Sequence, residues 1–254
     1  MNLISIFFAC SSPTLVEGNI NDIWGNPIEG VLTSMQGAEE KVKTNGNGIF
    51  SFTAVEGKML FRASKEGYIP VLGNSSYRKS DTESPTLSMV MYPDPKKNGF
   101  WAIGESKYLS LQPQKIHKKE ANLNTIQGLH QLGKKEDIRV SKTEPSFVFR
   151  TELRKEQIKQ LGLQIHRLEF VDDKDFQSLT GTQKVAINLW HATEEVKYTM
   201  SVMEEENRYL IKVNDPLKKG IYCFHSNHVL TNKDSMDSRN IPKELLLAYP
   251  FEVN

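Results

Sequence analysis

Cys223, His225 and His228 stand as Cys-x-His-x-x-His, and on a strand residues 223 and 225 share one face at period two. A thiolate and imidazoles are zinc donors, and Asp234 or Asp237 from the following loop could complete a set. The spacing matches no established zinc signature, and a small apolar Cys with histidines at a strand end explains the same residues. His191 and Glu194 form a His-x-x-Glu pair of the kind zinc hydrolases use, but a catalytic zinc needs a third protein ligand and an open position. No Gly-x-Ser-x-Gly elbow, phosphate-binding loop or dinucleotide fingerprint occurs. The sequence therefore assigns no catalytic residue, no metal and no cofactor; Cys223, His225 and His228 are the side chains nearest to a ligand set. Trp24, Trp101 and Trp190 can stack on sugars or anchor a core, and Trp101, in a short hairpin, is the candidate contact residue.

The elements that must position these groups are β-strands. The 254 residues suggest about two domains, with 38% hydrophobic and 25% charged residues, a globular composition. A net charge of +1 lacks the signature of a nucleic-acid binder. From Val16 to Tyr92, short alternating runs are separated by turns such as Trp24-Gly25-Asn26-Pro27 and Asn45-Gly46-Asn47-Gly48. This pattern predicts a sandwich rather than a parallel sheet with crossover helices.

Four blocks recur in order: Val16-x-Gly18-x-Ile20-x-Asp22, Gly25-x-Pro27-Ile28-x-Gly30-Val31, Thr44-x-x-x-Gly48-x-Phe50-x-Phe52 and Ala63-x-Lys65-x-Gly67-Tyr68. In these, residues 16–92 resemble the carboxypeptidase regulatory-like domain, with Asn45 where that family usually has Asp. The resemblance implies a transthyretin-like seven-stranded sandwich and a non-catalytic module of exported proteins.

Cys10 follows the largely apolar run Leu3 to Ala9 and precedes Ser11-Ser12-Pro13. This resembles the end of a bacterial lipoprotein signal peptide, which implies cleavage before Cys10 and lipid attachment to it. Phe7 and Phe8 depart from that pattern, and a basic leader before them is missing. Ser11 after the lipidated Cys would permit outer-membrane sorting.

Residues 93–143 hold ten Lys or Arg and five Asp or Glu, and read as a hairpin around Gly104-Glu105-Ser106-Lys107 followed by a polar, Lys-rich linker. Beyond it, Phe147 and Phe149, then Val196 to Val202 and Tyr209 to Val213, alternate as strands, with a short helix over Glu152 to Leu161. Leu217-x-x-Gly220-x-Tyr222 resembles the tyrosine corner of immunoglobulin-type sandwiches, with Phe224 where antibody domains carry a Cys.

The expected chain is all-β. It comprises a signal remnant and tether (1–15), a regulatory-like sandwich (16–92), a hairpin and linker (93–143) and an immunoglobulin-like β domain (144–254). The expected role is a non-catalytic lipoprotein of the bacterial cell envelope, periplasmic or surface-exposed. It would be held at the membrane by its N-terminal lipid and would bind an envelope protein or glycan, not nucleic acid. The alternatives are a zinc-dependent hydrolase and a carbohydrate-binding module.

Overall fold

A computed structural model describes residues 13–121, 124–130, 132, 139–140, 145–178, 181–226 and 243–253. The fold is all-β, with one seven-residue helix and a short 3-10 turn among the described residues. The chain divides into two compact units, Met1–Asp94 and Pro95–Asn254.

The first unit contains β1 (Leu15–Asp22), β2 (Leu32–Met35), β3 (Lys41–Lys43), β4 (Ile49–Thr53), β5 (Gly57–Ser64), β6 (Tyr68–Ile69), β7 (Val71–Tyr77) and β8 (Thr86–Pro93). They form two four-stranded sheets, in the orders β4-β1-β8-β6 and β3-β2-β5-β7. All pairings are antiparallel except β1 with β8. Strict alternation places Val16, Ile20, Phe50, Phe52, Leu87, Met89 and Met91 of one sheet against Met35, Met59, Phe61 and Ala63 of the other.

The turns are tied by side chains already conspicuous in the sequence. Asp22 Oδ1 accepts hydrogen bonds from the Trp24 and Asn26 amides, and Oδ2 accepts one from the Asn26 side chain. Buried Thr44 donates to the Ile28 carbonyl at 2.6 Å and accepts from the Val31 amide at 2.9 Å. Asn45 Oδ1 accepts from the Asn47 and Ile49 amides, and Gly48 follows at φ +72°. A Cβ on Gly48 would lie 2.5 Å from the Ile20 carbonyl oxygen, so this position needs glycine for both reasons.

The second unit contains β9 (Gly99–Ile103), β10 (Tyr108–Ser110), β11 (His117–Ala121), β12 (Asn124–Gly128), β13 (Arg139–Val140), β14 (Ser146–Arg150), α1 (Lys155–Leu161), β15 (Leu163–Ser178), β16 (Gly181–Glu195), β17 (Tyr198–Val202), β18 (Arg208–Val213), β19 (Gly220–Ser226) and β20 (Tyr249–Val253). Two five-stranded sheets, β10-β9-β14-β18-β17 and β13-β20-β19-β15-β16, enclose an aromatic core. The Phe100 ring stacks on Phe149 at 4.1 Å and on Phe224 at 4.5 Å, and Phe224 meets Phe147 edge-on at 4.8 Å. Helix α1 adds Ile158 and Leu161 and ends at Gly162, φ +62°. The Tyr222 hydroxyl donates to the Lys218 carbonyl at 2.8 Å, the backbone cap its corner position predicts.

The stretch 93–143 departs from its reading as a hairpin and linker. The hairpin is present, with Tyr108 opposite Ile103, but β9 also pairs with β14, so Phe100 and Ala102 enter the second core. Farther on, β11 and β12 form a second hairpin, and β13 pairs with β20. The second unit thus begins near Pro95 rather than at residue 144. Lys96, Lys97, Lys107, Lys115, Lys118 and Lys119 face solvent, while the neighbouring apolar groups Phe100, Ala102 and Leu111 are buried through long-range packing.

Candidate functional site

Along β19, Tyr222 and Phe224 face the aromatic core, which turns Cys223 and His225 to the opposite side of the sheet. Cys223 lies across from His166 of β15, and Gln164 lies across from His225. The two imidazoles therefore meet diagonally, ring centroids 4.9 Å apart, with His166 Nδ1 at 2.8 Å from His225 Nε2.

The hydrogen bonds dictate the tautomers. His225 Nδ1 faces the Ser226 carbonyl oxygen at 3.2 Å, which can only accept, so Nδ1 carries the proton. Neutral His225 then accepts at Nε2, and His166 donates from Nδ1. Desolvation pushes the His225 pKa down to about 4, with the neighbouring His166 adding to the fall. His166 is also lowered by burial, partly countered by Glu195, its cross-strand neighbour on β16.

Cys223 is packed with Leu129, Leu168 and Ala248, and burial pushes its thiol up to about 12. A thiol so placed is neutral and a poor nucleophile or metal ligand. The space beside it, lined by Leu129, Leu168, Trp190, Cys223, His225 and Ala248, has a volume of about 10 Å³, no more than one water needs.

Cys223 and His225 are thus neighbours on one face, as period two predicts, while His228, Asp234 and Asp237 lie outside the described residues. His191 on β16 sits opposite Glu169 with Nδ1 at 3.1 Å from the Ala192 carbonyl, and Glu194 is exposed in the irregular end of that strand. Among the described residues no three His, Cys, Asp or Glu side chains converge on a metal-sized point. Cys10 also lies outside the described residues.

Trp101 is half-buried on β9, across from Val148, and its Nε1 donates to the Lys97 carbonyl at 3.1 Å. It belongs to a five-stranded sheet rather than to a free-standing hairpin. Trp190 packs against Phe170 at 5.4 Å. His166 was not legible as a partner of His225: 59 residues separate the two, and no local spacing encodes a cross-strand diagonal.

No family model matches the chain, and no curated protein matches it. The resemblance of residues 16–92 to the regulatory-like domain therefore stands on its four motif blocks. Among solved structures, the chain is similar to the major pilin subunit BcpA of Bacillus cereus at 14% identity, over 96% of this chain and 68% of that one, with a TM-score of 0.23. It is also similar to a carbohydrate-binding candidate from Bacteroides uniformis at 9% identity, over 84% and 88% of the two chains, with a TM-score of 0.20. Values this low establish no shared fold.

Proposed function

We propose that the chain is a non-catalytic lipoprotein of the bacterial envelope, tethered through Cys10, whose two β units serve as binding or scaffolding modules for an envelope protein or glycan. The observation that carries the non-catalytic part is the fate of its most reactive side chains. The Cys223 thiol is pushed up to about 12, and His225 is held neutral by burial and by its bond to His166. Both are spent on packing the outer face of a sheet, and among the described residues the space they line, about 10 Å³, is too small for a substrate. The lipoprotein part rests on the apolar run 3–9, Cys10 and Ser11. The two-sheet sandwich of residues 15–93, with Thr44 and Asp22 bracing its turns, supports a carboxypeptidase regulatory-like assignment of the first unit.

Intact mass and membrane fractionation in a bacterial host, comparing wild type with Cys10→Ala, test the tether. The expected wild-type protein starts at Cys10, carries acyl mass and sediments with membranes, while Cys10→Ala is unprocessed or soluble. A wild-type protein that keeps Met1 and carries no lipid refutes the lipoprotein reading.

A further inference from the structure

We infer that the outer face of sheet β3-β2-β5-β7 docks on an anionic phospholipid surface. The strands of the two sheets in the first unit differ in charge. Strands β2, β3, β5 and β7 carry Lys41, Lys43, Lys58 and Arg62 and no carboxylate. Strands β1, β4, β6 and β8 carry Glu17 and Asp22 and neither Lys nor Arg. Because Met35, Met59, Phe61 and Ala63 point into the core, alternation turns Lys58, Leu60, Arg62, Leu32 and Ser34 outward.

Registry assembles these into one surface. Lys41, Ser34, Arg62 and Leu72 form a row across all four strands, flanked by Lys43 beside Leu32 and by Leu60 beside Asn74. The three leucines are 37%, 42% and 54% exposed (Leu32, Leu60 and Leu72), which leaves apolar area in water beside Lys41, Lys43, Lys58 and Arg62, with Glu39, Glu40 and Glu56 exposed in the flanking turns. A hollow of about 250 Å³, lined by Ser34, Leu60, Arg62 and Leu72, opens on this face.

The composition selects the partner. Glycan recognition uses exposed aromatic rings, and protein interfaces are enriched in aromatics and depleted in lysine. Here the outward positions hold leucine, lysine, arginine, serine and asparagine, with no aromatic residue. Leucines that enter the headgroup region, among lysines that remain with the phosphates, fit a bilayer surface with negative charge. Docking through this face requires no lipid on Cys10.

The test uses the full chain as Cys10→Ala, which removes any attached lipid, in cosedimentation with vesicles. Partition onto 30% phosphatidylglycerol in phosphatidylcholine at low salt is expected to exceed that onto phosphatidylcholine alone by at least about tenfold, and to collapse in 0.5 M salt. K41S/K43S is expected to lower it by about twenty-five-fold, near fivefold for each lysine. L60S/L72S, made on the same background, is expected to lower it at unchanged salt dependence. Circular dichroism melting confirms that each variant is folded, and K58S/R62S replaces any that is not. Equal partition onto both vesicle types overturns the inference, as does K41S/K43S or its replacement binding like the parent. Binding to polyglutamate without binding to vesicles assigns the face to an acidic protein and overturns it as well. Failure here leaves the processing of Cys10 untouched, so the two proposals fall separately.

Discussion

At the scale of residues, the histidine pair makes stability depend on pH in a definite direction. In the unfolded chain His225 titrates near 6.5, whereas in the folded chain burial lowers it to about 4. Between these values the unfolded state binds more protons, so stability is complete above about pH 6.5, falls as pH drops and levels off below about pH 4. The contribution is about 3 kcal/mol. Protonation must occur at Nε2, the atom that accepts from His166, so charging the ring also breaks the bond. Urea titrations at pH 7 and pH 4.5 are expected to show the loss, and His225→Leu to flatten it; equal slopes for the two proteins refute this assignment. Cys223 and His225 sharing a face followed from period two alone. That the face is packed under an apolar floor did not, because the floor is supplied by Leu129 and Ala248 from distant segments.

At the scale of elements, what was legible is what local chemistry encodes. Asp22 and Asn45 mark turns of the first unit because their side chains bond backbone amides within four residues, whereas Thr44 and Gly48 stood out by residue type alone, their contacts with Ile28 and Ile20 lying 16 and 28 residues away. Helix α1 was legible from Leu153, Ile158 and Leu161, all buried. Strand β9 was legible as half of a hairpin but not as a member of a five-stranded sheet, since its pairing with β14 joins positions about 47 residues apart, Phe149 with Phe100 being a typical register pair at 49. The two readings of this stretch differ measurably. In a hairpin on a linker, Phe100→Ala costs little. In the sheet it removes the ring stacked between Phe149 and Phe224 and is expected to cost about 3–5 kcal/mol of the stability of the second unit. Chemical denaturation of the variant, followed by near-ultraviolet circular dichroism, checks this; a loss below about 1 kcal/mol contradicts the packing.

At the scale of the whole molecule, each unit draws its main core from its own segment of chain, Val16 to Met91 in the first and Phe100 to Val253 in the second. The composition shift at Pro93-Asp94-Pro95 signalled the boundary, but polar content hid the fact that the chain beyond it enters a new sheet at once. At the boundary the Asp94 amide donates back to the Gly67 carbonyl, and the Pro95 carbonyl accepts from Arg150. Residues 13–94 therefore hold every strand of both sheets that bury their core, and should fold alone. The isolated fragment is expected to unfold cooperatively, with a midpoint within a few degrees of one of two transitions seen by calorimetry of the full chain. Ending the fragment at residue 66 removes β6, β7 and β8, and with them Leu87, Met89 and Met91 of the core that also holds Phe50 and Phe61, and is expected to abolish the transition. A fragment 13–94 without a cooperative transition would mean that its core depends on residues beyond Asp94, and the two-unit division would then describe geometry without describing stability.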